Sequence, residues 1–314
     1  MGKGSGPDLS LITVKGLIGT FFQAIEAGES WATDIGFLSD ANQDTETYRW
    51  LGQTPALREW IASRILQGLR VESYTITNKP YEATLEIAKA DWRRDKIGGI
   101  QMRVADLGVR VAQHWQKLLS ALIETNGTCY DGQNFFSASH ASGDSGTLSN
   151  LLTNSDVPAL DVTTAAAPTV AEMVDVILGV IQEFYNMKDD QGEPMNDGAQ
   201  EFTVMVPPNM MGSTAGAIGD AFIGSGRSNT LLGNDFNVKM RVNPRLTSTT
   251  VLYFFRTDRP AKPFILQSEA ETEVSFIGPG SEQAFLNARY LFGVENCRNV
   301  GYGLWQYAMK ATLS

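Results

Sequence analysis

The chain has 314 residues, 43 % hydrophobic and 19 % charged, a composition that excludes global disorder and predicts about two domains or one large one. Lys and Arg total 25 against 35 Asp and Glu, a formal net charge of −10, so the surface will not wrap a phosphate backbone by bulk electrostatics. Two cysteines, Cys129 and Cys297, make no disulfide framework and point to a reducing compartment.

Residues 1–8 lack the apolar core of an export signal. Gly6 breaks the myristoylation pattern. The longest uncharged run, 202–219, contains Pro207, Pro208 and several glycines, and reads as strand, turn and loop rather than a membrane span. A soluble cytoplasmic protein is expected. The first fifteen residues are Gly-rich and read as an arm. Leu17, Phe21, Phe22 and Ile25 share a face of a helix over 17–27, and the polar stretch 28–47 reads as irregular.

Tyr48 to Leu51 has strand character, and Thr54-Pro55 marks the start of a helix carrying Leu57, Trp60, Ile61 and Ile65. Residues 71–76 and 81–87 read as strands joined through Thr77 to Pro80, a hairpin. In the second, Tyr81, Ala83, Leu85 and Ile87 alternate with Glu82, Thr84 and Glu86, so one face is apolar and the other polar and acidic. Ile100, Val104, Leu107, Val111, Trp115, Leu118 and Leu122 predict a single helix over 100–124, a strut of roughly 35–40 Å. Asn126-Gly127 ends it.

Residues 127–168 are loop-rich, with a domain boundary expected at 163–168. A second helix spans 170–185, carrying Met173, Val174, Ile177, Ile181 and Phe184 on one face. Strands are predicted at 202–206, 238–242, 251–256, 264–267, 273–276, 290–294 and 303–307, and the Gly- and Ser-rich 211–234 reads as loop. The fold class is α+β.

Chemistry-bearing residues are sparse. Only His114 and His140 can serve as imidazole bases, and Cys129 with His140, eleven residues apart, has no flanking signature of a cysteine enzyme. No CxxC or HxxxH pair organises zinc from Cys129, Cys297, His114 and His140. No GxxxxGK[ST] or GxGxxG cradle occurs. Asp189-Asp190 reads as a solvated turn, and no carboxylate pair stands out for glycoside hydrolysis. No catalytic, cofactor-binding or metal residue is assigned. A long strut, a projecting hairpin and a mobile arm instead need neighbours to bury them. Tyr48, Arg49, Trp50, Arg58, Trp60 and Arg64 are of types enriched at interfaces, and are the candidate inter-subunit contacts.

Several stretches occur in a telling order: Tyr48-Arg-Trp-Leu-Gly-Gln53, Leu57-Arg-Glu-Trp-Ile61, and Tyr74-Thr-Ile-Thr-Asn-Lys79 with Tyr81-Glu-Ala-Thr84. Cys129-Tyr-Asp-Gly-Gln133 follows, with Phe135-Phe136 and His140, then Val204 to Pro208. Last come Asp258-Arg-Pro260 with Lys262-Pro-Phe264, Tyr290-Leu-Phe-Gly-Val294 and Asn299-Val-Gly-Tyr-Gly-Leu-Trp-Gln306. From about residue 16 onward the sequence resembles the Mu-like phage major head subunits, major capsid proteins with the Hong Kong 97 phage fold. Residues 141–200 and 211–234 match weakly.

The resemblance implies an N-terminal arm (1–45), an extended loop (46–96), a peripheral domain with its spine helix (97–164), an axial domain (165–260) and return strands of the peripheral domain (261–314). It implies a structural subunit rather than an enzyme, needing no cofactor, that self-assembles into pentamers and hexamers of an icosahedral shell around double-stranded DNA. The subunit would be made in the bacterial host cytoplasm and would end in the virion. Scaffold, protease, portal and decoration proteins are the further partners implied, with no membrane. The acidic balance agrees with a container that does not adhere to its contents. The alternatives are an encapsulin-like shell enclosing enzyme cargo, and a hydrolase using carboxylates or Cys129 and His140.

Overall fold

The computed structural model describes residues 9–48, 73–94, 98–224, 226–233 and 235–314. The order begins with α1 (Leu9–Ala27), α2 (Ala32–Ile35), β1 (Gly36–Asp40), β2 (Thr45–Tyr48), β3 (Tyr74–Thr77) and β4 (Lys79–Ala88). α3 (Lys89–Arg94), α4 (Gly99–Ala112) and α5 (His114–Thr125) follow. Next are the short strands β5 (His140–Ala141), β6 (Thr147–Leu148) and β7 (Leu151–Leu152), then α6 (Val170–Asn186) and β8 (Glu201–Val206). α7 (Met211–Gly219), β9 (Phe222–Ile223), β10 (Arg227–Ser228), β11 (Asn237–Val242) and β12 (Val251–Arg256) come after it. The chain closes with β13 (Phe264–Ile277), α8 (Glu282–Leu286), β14 (Arg289–Tyr302) and β15 (Ala308–Thr312).

Two sheets carry the architecture. The first has the order β1-β13-β14-β4 and the second β11-β8-β12-β15-β7. β13 and β14 are each 14 residues long and pair antiparallel from Phe264–Tyr302 at the core end to Ile277–Leu291 at the far end. α1 and α4 pack on one face of the first sheet, through Leu17, Phe21 and Val104 against Phe292 and Val294. The interhelical approach is close: a Cβ on Gly108 would sit 2.7 Å from the Phe21 carbonyl oxygen and 2.9 Å from the Ala24 Cβ, so only glycine fits there. α6 supplies seven buried side chains to the main core, among them Met173, Ile177, Val180 and Phe184, which share that core with Phe202 and Val204 of β8.

The structure departs from the local sequence pattern at several places. Helix α1 begins at Leu9, not Leu17; a helix whose later turn is anchored by Leu17 and Phe21 extends toward its N-terminus at little cost. The polar 28–47 stretch contains α2, β1 and β2, because β1 finds a parallel partner in β13 (Gly36–Phe264 to Asp40–Ser268), and tertiary pairing overrides weak strand propensity. β3 and β4 do not form a hairpin. Only Asn78 separates them, too short for a turn; β3 pairs with β2, and β4 with β14. The alternation within β4 holds, with Ile87 buried and Glu82, Thr84 and Glu86 exposed.

The strut over 100–124 is two helices meeting at Gln113, whose N–H still reaches the Val109 carbonyl at 3.0 Å. Asn126 terminates α5 in the left-handed region at φ 46°. Within 211–234, residues 211–219 are helical, held by Thr214 bonding back to the Met210 carbonyl and by Ala217, both buried. Gly303 to Tyr307 is a turn, with a 3₁₀ helix at Trp305–Tyr307, and the last strand starts at Ala308. β13 and β14 lie in the first sheet, whereas β15 crosses to the second, between β12 and β7.

α6 opens with a capping box: Thr169 Oγ1 accepts from the Glu172 N–H while the Glu172 carboxylate accepts from the Thr169 N–H. Glu172 also accepts from Thr163, and the Thr163 hydroxyl, followed by the Thr169 and Thr163 backbone N–H groups, lowers its pKa from 4.5 to about 2. A depressed carboxylate contributes stability above its unfolded value that is lost as pH falls toward its folded value. Thermal melts from pH 5 down to pH 2 are therefore expected to show a loss that Glu172→Gln reduces. Thr169→Ala is expected to cost about 1 kcal/mol at neutral pH, by removal of the cap.

Candidate assembly surfaces

Tyr48 ends β2 and is 6 % exposed. It packs with Ile76, Ile265, Leu304 and Tyr307, and its hydroxyl donates to Gln267 Oε1 at 2.8 Å. Burial raises its pKa, against a hydrogen bond with Ser39. Gln267 Nε2 donates in turn to the Ile76 carbonyl and to Asn78 Oδ1, at 3.2 and 2.8 Å. Tyr48 is thus packed into the interior of its own subunit. Its apolar ring satisfies the interior as well as an interface, so residue type alone does not separate the two. Arg49, Trp50, Arg58, Trp60 and Arg64 lie outside the described residues.

The two sequence-level candidates for chemistry occupy structural roles. Cys129 is buried, with its thiol 3.8 Å from the Gly303 carbonyl oxygen. His140 is fully buried, its Nδ1 2.5 Å from Asp131 Oδ2 and its Nε2 3.3 Å from the Phe135 carbonyl. The ring also stacks on Trp305 at 4.0 Å, so it fastens the 127–150 loop to the C-terminal turn. His114 meets Tyr81 edge-on at 4.4 Å. Burial, with the positive charges of Arg298 and Lys117, pushes its pKa down to about 4, so it is neutral at pH 7. Asp189 closes a turn, its Oδ1 accepting from the Gln191 and Glu193 N–H groups. Among the described residues no group of three or more His, Cys, Asp or Glu is placed to hold a metal ion, and no helix is long and apolar enough to cross a membrane.

Exposed apolar side chains mark three surfaces. Phe285 and Leu286 of α8 are 87 % and 65 % exposed, near Ile277 at the far end of the β13–β14 pair. Ala284 of the same helix packs on a base in which Trp92, Phe276 and Tyr290 contact one another at 5.5 to 6.2 Å. A second set, Met211, Phe222 and Leu232, lies in and just after α7. A third, Phe22 and Leu38, opens onto a cleft of about 460 Å³ that Trp115 and Arg298 also line. The guanidinium of Arg298 sits 4.8 Å over the Trp115 ring. Phe285 and Met211 carry no sequence signal distinguishing them from core residues; only their place at an element's solvent side does so.

Comparison with known proteins gives these surfaces a context. A family model described as the Mu-like prophage major head subunit gpT matches residues 12–173 and 233–314. The Mu-like prophage FluMu major head subunit of Haemophilus influenzae is 30 % identical over 307 residues, 96 % of this chain and 72 % of that protein. The major capsid protein of Escherichia phage Mu is 32 % identical over 122 residues, 38 % of this chain and 40 % of that protein. The solved procapsid of bacteriophage JBD30 contains a chain that superposes with a TM-score of 0.60 at 22 % identity, covering 99 % of this chain and 77 % of that one. At that identity the likeness shows the fold, that of a phage capsid subunit of the Hong Kong 97 type.

Tyr48→Phe is expected to leave Gln267 Oε1 without its buried donor and to lower subunit stability by about 1–3 kcal/mol. Denaturant unfolding of dispersed subunits measures the loss. Sedimentation of the same variant is expected to show unchanged assembly, because the side chain faces inward.

Proposed function

This chain belongs to the Mu-like prophage major head subunit family, and we propose on that premise that it is the repeating subunit of a tailed-phage or prophage head. Its work is association, not turnover. The observation that carries the reading is the family match, which covers every strand of the first sheet and every strand of the second except β8. The proposed product is an icosahedral shell of pentamers and hexamers around double-stranded DNA, assembled in the bacterial cytoplasm with scaffold, protease, portal and decoration proteins as partners. The named sequence relatives are phage and prophage head proteins, which favours this reading over an encapsulin-like compartment. The names of the relatives, together with the buried roles of Cys129 and His140, leave the hydrolase reading unsupported.

In this proposal residues 46–96 form the extended loop, 97–164 belong to the peripheral domain, 165–260 form the axial domain, and 261–314 return to the peripheral domain except where β15 joins the second sheet. Arg49, Trp50, Arg58, Trp60 and Arg64 would meet a neighbour, the tryptophans as apolar anchors and the arginines as bidentate partners of carboxylates. Each contact can be modest because a closed shell repeats it many times.

Light scattering of purified protein over a range of concentration and salt is expected to reveal capsomers, tubes or closed shells. A strictly monomeric species under all conditions, scaffold included, sinks the proposal. Trp60→Ala and Arg58→Glu are expected to keep the circular dichroism of the folded subunit and to sediment mainly as unassembled protein. Truncating an interface tryptophan costs about 2 kcal/mol or more. Unfolding of either variant would place these side chains in the subunit core instead.

A further inference from the structure

Arg298 of β14 is 5 % exposed, yet among the described residues no carboxylate pairs with it. The other fully buried arginine, Arg256, is held by Asp258 at 2.6 Å. The Arg298 guanidinium instead lies 4.8 Å over the Trp115 ring and donates to neutral oxygens, Asn296 Oδ1 at 2.9 Å and Thr272 Oγ1 at 3.3 Å. Burial pushes its pKa down to about 10, so it remains a cation at pH 7. A guanidinium has five donors, and a buried charge is costly until it is paired. Arg298 lines the cleft of about 460 Å³ that Phe22, Leu38 and Trp115 also wall, a volume in the range of natural binding pockets. The exposed carboxylates Asp40 and Glu271 stand at its rim. β1 is an edge strand and pairs with β13 only as far as Asp40–Ser268, and Ala270, Glu271 and Thr272 just beyond line the cleft too. The cleft therefore opens at the side of the first sheet, between its strands and the helices, and not on a broad face.

The far end of the β13–β14 ladder carries the complementary shape. Ser281 Oγ caps α8 by accepting from the Ala284 N–H at 3.2 Å, and Ala284 packs with Ile87 and Tyr290, so this short helix is fixed to the end of the sheet. Glu282, Phe285 and Leu286 stand at positions i, i+3 and i+4 and share its outer side. All three are exposed, and no salt bridge among the described residues reaches Glu282. The knob is thus one unpaired carboxylate flanked by two apolar side chains. The cleft is one unpaired cation flanked by apolar walls. Thr272 and Ile277 are roughly 17 Å apart along β13, with α8 beyond Ile277, so the knob does not fill the cleft of its own subunit.

We propose that this cleft receives α8 of a second copy of the chain, with Phe285 and Leu286 seated among Phe22, Leu38 and Trp115 and the Glu282 carboxylate on the Arg298 guanidinium. The inference rests on the proposed shell function and names one of its contacts. End and side both belong to the perimeter of the sheet-and-helix plate, so joined copies lie beside one another in a single layer. Different patches of each subunit meet, and such heterologous contacts propagate into rings or curved arrays rather than closing as a dimer. Asp40 and Glu271 at the rim repel an occupant with surplus negative charge, so the cleft admits a knob with one carboxylate and rejects a polyanion such as nucleic acid. An aromatic anchor beside a desolvated charge pair is the composition of an interface hot spot.

The test uses the full chain with Cys297→Ala, Cys129 being buried. Assembled protein carrying both Leu38→Cys and Leu286→Cys is treated with a short bismaleimide. Denaturing gels are expected to show a ladder of covalent dimers, trimers and higher oligomers, and each single variant is expected to stay monomeric. An assembled double variant that gives no ladder overturns the inference. A covalent dimer from Leu286→Cys alone also overturns it, because α8 then meets another α8. In a second arm, Phe285→Ser and Glu282→Gln are each expected to leave the melting temperature of dispersed subunits unchanged, both side chains being exposed. Each is expected to raise the critical concentration for assembly about tenfold, and Glu282→Gln to flatten its salt dependence. Assembly of either variant at the wild-type concentration counts against the contact. Wild-type protein that never assembles removes the shell reading beneath it, and this contact with it.

Discussion

β13 and β14 pair along most of their fourteen residues, and that ladder joins two different environments. Its inner end is interior: Phe264, Ile265, Leu266 and Gln267 are fully buried. Its outer end is a sheet with one covered face, where exposure alternates from Ser268 to Ile277. β1 and β4 pair only with this ladder in the first sheet, and α1 and α4 lie on its apolar side. Register shifts between Ser268 and Glu273 fall where the strand leaves the core, and a bulge there bends and twists the ribbon. The reach of the subunit beyond its core depends on these hydrogen bonds.

Much of the fold is legible in the sequence where one physical signal dominates. Helix α6 shows both its apolar face and its Thr169–Glu172 cap. β8 and β12 are short apolar runs, buried throughout apart from the half-buried Glu201. Legibility fails where partners are distant in sequence. β1 is polar enough to read as loop and is a strand because β13 lies beside it. α7 is rich in Gly and Ser, yet buried Thr214 and Ala217 pin it. The break at Gln113 leaves the hydrophobic spacing intact on both sides, so periodicity cannot mark it.

The assembly surfaces are less legible than the fold, for a related reason. Aromatic and arginine side chains serve interiors and interfaces alike, and Tyr48 resolves to the interior only through Gln267 and Ile76, each far away in sequence or on another strand. The acidic face of β4 is visible as alternation in the sequence. Its alignment with Glu295 and Glu273 is set by pairing and appears only in three dimensions. Phe285, the most exposed of the large apolar residues described, belongs to a five-residue helix too short to show periodicity.

The buried amide of Gln267 has a consequence for geometry. Apolar contacts tolerate sliding, because dispersion is nearly indifferent to direction. A glutamine that accepts from Tyr48 while donating to Ile76 and Asn78 admits one arrangement, and any slip leaves a buried polar atom without a partner. The root of the β2–β3 ribbon is thereby indexed to the ladder like a keyed shaft. In a closed array angular errors accumulate from copy to copy, so a part that leaves each subunit in one orientation limits the mismatch at closure. On this view the amide sets a manufacturing tolerance, and the tolerance sets how faithfully many copies meet.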